Sequence, residues 1–173
     1  MCATIMAALQ ILAIAPLSLC FASCPDAPGT CPSLSISLLQ STSHAILQES
    51  ISLCRPGALV SAIGSHLQQA CSKTGLFISE LFAGHIIGEQ AHMLPQVLPR
   101  RGMFEAEHVL GAGCMLHLVV LAHPAKPSAR QLKDHWPVTE RNYYPSACYS
   151  HMLLITEDVP QILTASYPLL PNC

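Results

Sequence analysis

Apolar side chains recur at helical spacing through the longest proline-free part of the chain, residues 57–94. Leu59, Val60, Ile63, Leu67, Ala70 and Cys71 form one stripe, which predicts a helix over 58–72. Lys73, Thr74 and Gly75 interrupt the pattern. Phe77, Leu81, Phe82, Ile86 and Met93 then resume it, which predicts a second helix over 76–94. Gly84 and Gly88 would each weaken that helix by about 1 kcal/mol relative to alanine. Pro95 and Pro99 end it, because proline has no amide proton and clashes with the preceding turn. The run 109–122 is almost wholly apolar, with Glu105, Glu107 and His108 at its mouth. It is short for a membrane span and suits a core helix or a buried strand; we place a third helix over 103–122.

Elsewhere the pattern is weaker. Residues 33–38 alternate polar and apolar as a strand does, yet Ile46, Leu47, Ser50, Ile51 and Cys54 lie at helical spacing, so 23–56 stays ambiguous. From Pro124 onward, prolines at 127, 137, 145, 160, 168 and 171 divide the chain. A short helix over 128–136, capped by Ser128, and a strand over 149–156 are the elements expected there. The resulting fold class is mainly α: short helices packed over 57–123, a proline-punctuated irregular tail over 124–173, and long proline-rich segments. A largely disordered or poorly folded chain is the extreme of that class.

The amino terminus adds a separate segment. Residues 1–25 contain no charged side chain, and 5–15 are apolar except for Gln10. Pro16 breaks the run, and Cys20 and Ala22 suit the small positions of a cleavage site before Ser23. Residues 1–22 therefore read as a secretory signal peptide, with an uncleaved hydrophobic anchor as the alternative; a basic stretch before the apolar run is missing. The implied location is the secretory pathway or outside the cell, or else a membrane. After such cleavage seven cysteines would remain: Cys24, Cys31, Cys54, Cys71, Cys114, Cys148 and Cys173. An odd number leaves at least one thiol unpaired or bridging chains.

Composition narrows the function classes. Charged residues make up only 10% of the 173, and the formal net charge is −2, so there is no basic footprint for nucleic acid. With 51% hydrophobic residues, the polar, charged signature of disorder is absent too. Lysine and aspartate, which keep surfaces hydrated, are scarce. This points to a membrane or protein partner covering exposed apolar surface. It also fits the product of a young reading frame.

Nine histidines raise the question of metal. His85, Glu89 and His92 stand at i, i+4 and i+7, one face of the expected helix. Glu89-x-x-His92 is echoed by Glu105-x-x-His108, the spacing by which ferritin-like bundles hold two metal ions, with Glu49 and Glu80 as candidates for the remaining carboxylates. Pro95, Pro99 and Gly102 leave little room for two long helices between the motifs. Cys114, His117 and His123 lack a fourth ligand and structural-zinc spacing. Gly111-x-Gly113 lacks the third glycine of a dinucleotide loop. Arg100-Arg101 reads as an exposed loop.

The sequence by itself therefore leads to a small hydrophobic, cysteine-rich orphan protein that is not an enzyme. It assigns no catalytic residue, metal ligand or cofactor. The alternatives are a secreted or membrane-associated protein acting through protein–protein contacts, and a metal-binding protein using His85, Glu89 and His92.

Overall fold

The computed structural model describes residues 19–21, 36–80, 82–99, 108–131, 138–140 and 144–164. In chain order these form β1 (Leu19–Phe21), α1 (Ile36–Ser52), α2 (Val60–Lys73), β2 (Phe77–Ile78), β3 (Gly84–Ile87), β4 (Met93–Val97), β5 (Met115–His123), β6 (Ala129–Gln131), β7 (Val138–Glu140), β8 (Ser146–Leu154) and β9 (Gln161–Ile162). The main sheet has seven strands. Its path is β1-β8-β5-β3-β4, with β2 also paired to β5 and β9 to β8, every pair antiparallel. Strands β6 and β7 form a separate antiparallel pair.

The expectation of a mainly α chain is thus corrected to a mixed α/β fold. Of the three expected helices, only that at 58–72 corresponds to a helix, α2. Its stripe Val60, Ile63, Leu67, Ala70 and Cys71 is buried. Its end is fixed locally: the Thr74 hydroxyl donates to the carbonyls of Ala70 and Cys71 at 3.1 and 2.9 Å, and Gly75 follows with φ +73°. Its start is tied to the distant 108–110 segment, since the Val60 amide donates to the His108 carbonyl and the Leu110 amide to that of Ala58.

The ambiguous segment contains helix α1. The alternation at its start gives way because its buried face is partly serine. Ser43 and Ser50 are fully buried, and their hydroxyls donate to the carbonyls of Leu39 and Ile46 at 2.6 and 2.7 Å. Back-bonding to i−4 satisfies the hydroxyl and lets a small polar residue occupy a core position.

The expected helix at 76–94 is instead strand β2, strand β3 and the turn leading into β4. Tertiary pairing overrides the helical period here. Ile86 and Ile87 are β-branched and suit a strand. A Cβ on Gly84 would lie 2.5 Å from the His117 carbonyl oxygen, so only glycine allows β3 this close to β5. Pro95 is accommodated because β4 is the edge of the sheet.

The apolar run at 109–122 becomes a turn and strand β5, not the helix placed over 103–122; residues 103–107 lie outside the described residues. Gly113, at φ +85°, makes the turn, and its amide donates to the Ile155 carbonyl at 2.7 Å. Strand β5 is apolar on both faces because both are covered. Leu116, Leu118, Val120 and Ala122 join the core formed with α1 and α2, whereas Val119, Leu121 and Cys148 form a second cluster with Phe82.

In the tail, the strand expected at 149–156 overlaps the nine-residue β8, which lies beside β5 across its length. The helix expected over 128–136 is replaced over Ala129–Gln131 by strand β6, and its remainder lies outside the described residues. So do Arg100, Arg101, Glu105 and Glu107. Of residues 1–22, only Leu19–Phe21 is described: it pairs with Ser146–Cys148 of β8. No described helix is long and apolar enough to cross a membrane.

Candidate functional site

Both helices pack on the sheet face that carries Leu116, Leu118 and Val120 of β5. Side chains alternate along a strand, so His117, Val119 and Leu121 share the opposite face. Register sets their neighbours there: His85 of β3 stands across from His117, and Met152 and Ser150 of β8 stand across from His117 and Val119. The polar groups on this face therefore include imidazoles together with Ser150 and Gln96, set among thioether and aliphatic side chains.

Three of the imidazoles cluster. His85 is buried at 6% exposure, and its ring lies 4.4 Å from that of His92 and 5.0 Å from that of His117, centroid to centroid. His85 Nδ1 is 3.1 Å from the Ile86 carbonyl oxygen. A carbonyl only accepts, so that nitrogen carries the proton and Nε2 of the neutral ring is an acceptor. His117 Nδ1, 3.2 Å away, then donates to it, leaving His117 Nε2 with a bare lone pair.

Electrostatics keep the pair neutral. Burial pushes the His117 imidazolium down to about 4, helped by the nearby charges of His85 and His92. His85 is also lowered, chiefly by burial and further by His92, against the upward pull of its bond to the Ile86 carbonyl. At neutral pH the His85–His117 pair is therefore uncharged and offers hydrogen-bond acceptors rather than strong bases.

The structure brings together two of the three residues spaced for a metal, by a different route. His85 lies on β3 and His92 just before β4, so the hairpin, not a helical face, brings them together. Glu89 is exposed in the intervening turn. Local spacing groups His117 only with Cys114 and His123, whereas its partner in the fold, His85, is 32 residues away in sequence. A lone polar residue inside the apolar run 109–122 was its one sequence signal. Glu49 is 63% exposed on α1, 3.5 Å from His66 Nε2. Glu80 and His108 are exposed, and His123 is buried at the far end of β5. Gly111 and Gly113 belong to a turn. Among the described residues, no three His, Cys, Asp or Glu side chains are arranged to hold a metal ion.

The fold defined by this sheet and its two helices is that of aminopeptidase structures. It superimposes on the methionine aminopeptidase of Thermotoga maritima with a TM-score of 0.69, 22% identity, and coverage of 76% of this chain and 52% of that one. For the Rickettsia prowazekii enzyme the TM-score is 0.67, with 26% identity and 75% and 52% coverage. In sequence, the chain is 31% identical over 123 residues to the methionine aminopeptidase of Escherichia coli (strain K12), covering 69% of this chain and 46% of that protein. The chain thus spans about half the length of this relative, and less of the yeast one, at 32%. No protein-family profile matches it.

These likenesses overturn the reading of a non-enzymatic orphan, because the proteins it resembles are peptidases spread across bacteria, yeast and a plant. Composition misled here: a low charge content is compatible with a fold whose central strand, β5, is covered on both faces.

Proposed function

We propose that this chain is an aminopeptidase-type half-fold that acts on the amino-terminal residue of peptides, methionine foremost. The carrying observation is the 31% identity over 123 residues to the Escherichia coli methionine aminopeptidase.

The imidazole face supports the reading chemically. The bare Nε2 of His117 is unprotonated at neutral pH, because burial lowers this imidazole to about 4, so it offers a hydrogen-bond acceptor to a peptide N–H. Beside it lie the half-buried Met115 and Met152, with Val119 next along the strand. Thioether and aliphatic side chains pack adaptably against an apolar residue such as methionine. His92, exposed at the rim, is placed to meet the polar peptide backbone.

The test is incubation of the full chain with the tripeptide Met-Ala-Ser, with and without added divalent ions, and quantification of free methionine by mass spectrometry. Release above the blank that falls when His117 is replaced (His117→Phe) is the expected result. Methionine at blank level under all conditions would overturn the reading.

A further inference from the structure

We propose that Thr164 is a positioning residue for Met152 and, through it, a determinant of the preference for an amino-terminal methionine. The inference rests on the reading of the imidazole face as the seat of that methionine. Met152 stands directly across from His117, and the two share this face of the sheet. Strand β8 is held by β5 along one edge and by the short strands β1 and β9 along the other. On that outer edge the Met152 carbonyl accepts from the Leu163 amide at 2.8 Å, and the Met152 amide donates to Thr164 Oγ1 at 3.0 Å.

The second of these bonds departs from a strand ladder. Gln161 and Ile162 pair with Leu154 and Leu153, so the residue next in line for Met152 is Leu163. In such an antiparallel pair, two residues exchange both N–H···O bonds. Leu163 supplies the amide, but the Thr164 hydroxyl supplies the acceptor that a Leu163 carbonyl would be. The side chain thus lets the chain leave the sheet without orphaning the Met152 amide. Thr164 is buried, and its Oγ1 also lies 3.1 Å from His151 Nδ1, so two neighbours fix its rotamer. By the two-residue repeat Ser150 also turns its amide and carbonyl to the outer edge, where no described strand pairs with it. Thr164 is therefore the hold on β8 beside an open stretch, and Met152 is the residue it secures.

The consequence for binding follows from order. A methionine side chain is flexible, and packing it against a ligand costs rotamer freedom. A backbone fixed at Met152 has met part of that cost before the ligand arrives. Removing the Thr164 hydroxyl leaves the Met152 amide without its acceptor and loosens β8 at the residue that meets the substrate side chain. Binding then has to restore the order, so the loss falls on KM. Thr164 lies on the far side of β8 from His117, so kcat is spared.

The experiment measures initial rates of methionine release from Met-Ala-Ser by the full chain and by three variants. Thr164→Val should raise KM about three- to tenfold, the size of one net hydrogen bond, with kcat within about twofold. Thr164→Ser keeps the hydroxyl and should restore the parent KM. Ile63→Val, a core change in α2 that lowers stability by other means, should leave KM alone. A KM unchanged in Thr164→Val, or raised equally by Ile63→Val, would overturn the proposal. Two readings on the unmodified chain need neither variant nor cleavage. With free L-methionine as the probe, the 13C-methyl signal of Met152 should shift and exchange of its amide hydrogen should slow. Either reading unmoved at saturating methionine overturns the proposal. Both moved without any release from Met-Ala-Ser would remove the peptidase reading and leave the role of Thr164 standing.

Discussion

Helix α2 closely approaches the backbone just past β4 at Gly64, and replacing it with alanine tests the packing directly. In an exposed helix that change stabilises by about 1 kcal/mol, because glycine has more conformational freedom to lose. Here the added Cβ would overlap the carbonyl oxygen of Leu98, the residue that follows β4. A backbone oxygen cannot swing aside as a flexible side chain can, so α2 must back away from β4. Overpacking of this kind costs ~1–3 kcal/mol and more where backbone is the obstacle. The net expectation for Gly64→Ala is a loss of about 2 kcal/mol, which for a chain of this size is a fall in Tm of roughly 4–8 °C. Thermal unfolding followed by circular dichroism reads it, with exposed Gln69→Ala on the same helix as a control expected within about 0.5 kcal/mol of the parent. A Gly64→Ala protein as stable as its parent, or more so, would refute the close approach of α2 to β4.

Three further outcomes follow from the buried polar groups and thiols. Burial raises the thiols of Cys54 to about 12 and of Cys71 and Cys148 to about 11, so in native protein iodoacetamide should label half-buried Cys114 well before these three, with the difference vanishing in denaturant; peptide mapping that finds Cys54 labelled as fast as Cys114 contradicts the core assignment. Thr164 Oγ1 accepts from the Met152 amide at 3.0 Å and meets His151 Nδ1 at 3.1 Å, so Thr164→Val should cost ~1–3 kcal/mol in urea unfolding, and a neutral change would show that water replaces it. Burial lowers His151 below its ordinary 6.5, aided by the charge of His44 and opposed by its bond to Thr164. The unfolded chain then binds the extra proton first, so stability is fully present above pH 6.5 and declines as the pH falls toward the folded value. His151→Gln should flatten that decline, and an unchanged slope assigns it to other groups.

How far the fold was legible depended on which residues filled the core positions. Helix α2 was readable because its buried stripe is aliphatic over three turns and ends at Thr74 and Gly75. Helix α1 was blurred by Ser43 and Ser50, polar in the sequence yet fully buried because each bonds back to the preceding turn. Strand β5 looks the same as a core helix in sequence, since a strand covered on both faces loses its alternation. The hairpin around β3 was hidden by coincidence: residues spaced i and i+7 meet on one helical face, and also meet across a tight turn. The helical spacing of His85 and His92 therefore pairs two residues that the fold brings together by a hairpin instead. His117 needed the register of β3 on β5, a non-local fact that no local spacing contains.

The central claim, that this half-fold acts on peptide amino termini, is tested most directly by initial rates on two tripeptides that differ only in their first residue, Met-Ala-Ser and Lys-Ala-Ser. The account predicts release of free methionine at a rate proportional to protein concentration, slower release of lysine, and loss of both in His117→Phe. Equal release of the two residues, or methionine release unaffected by that substitution, would contradict it.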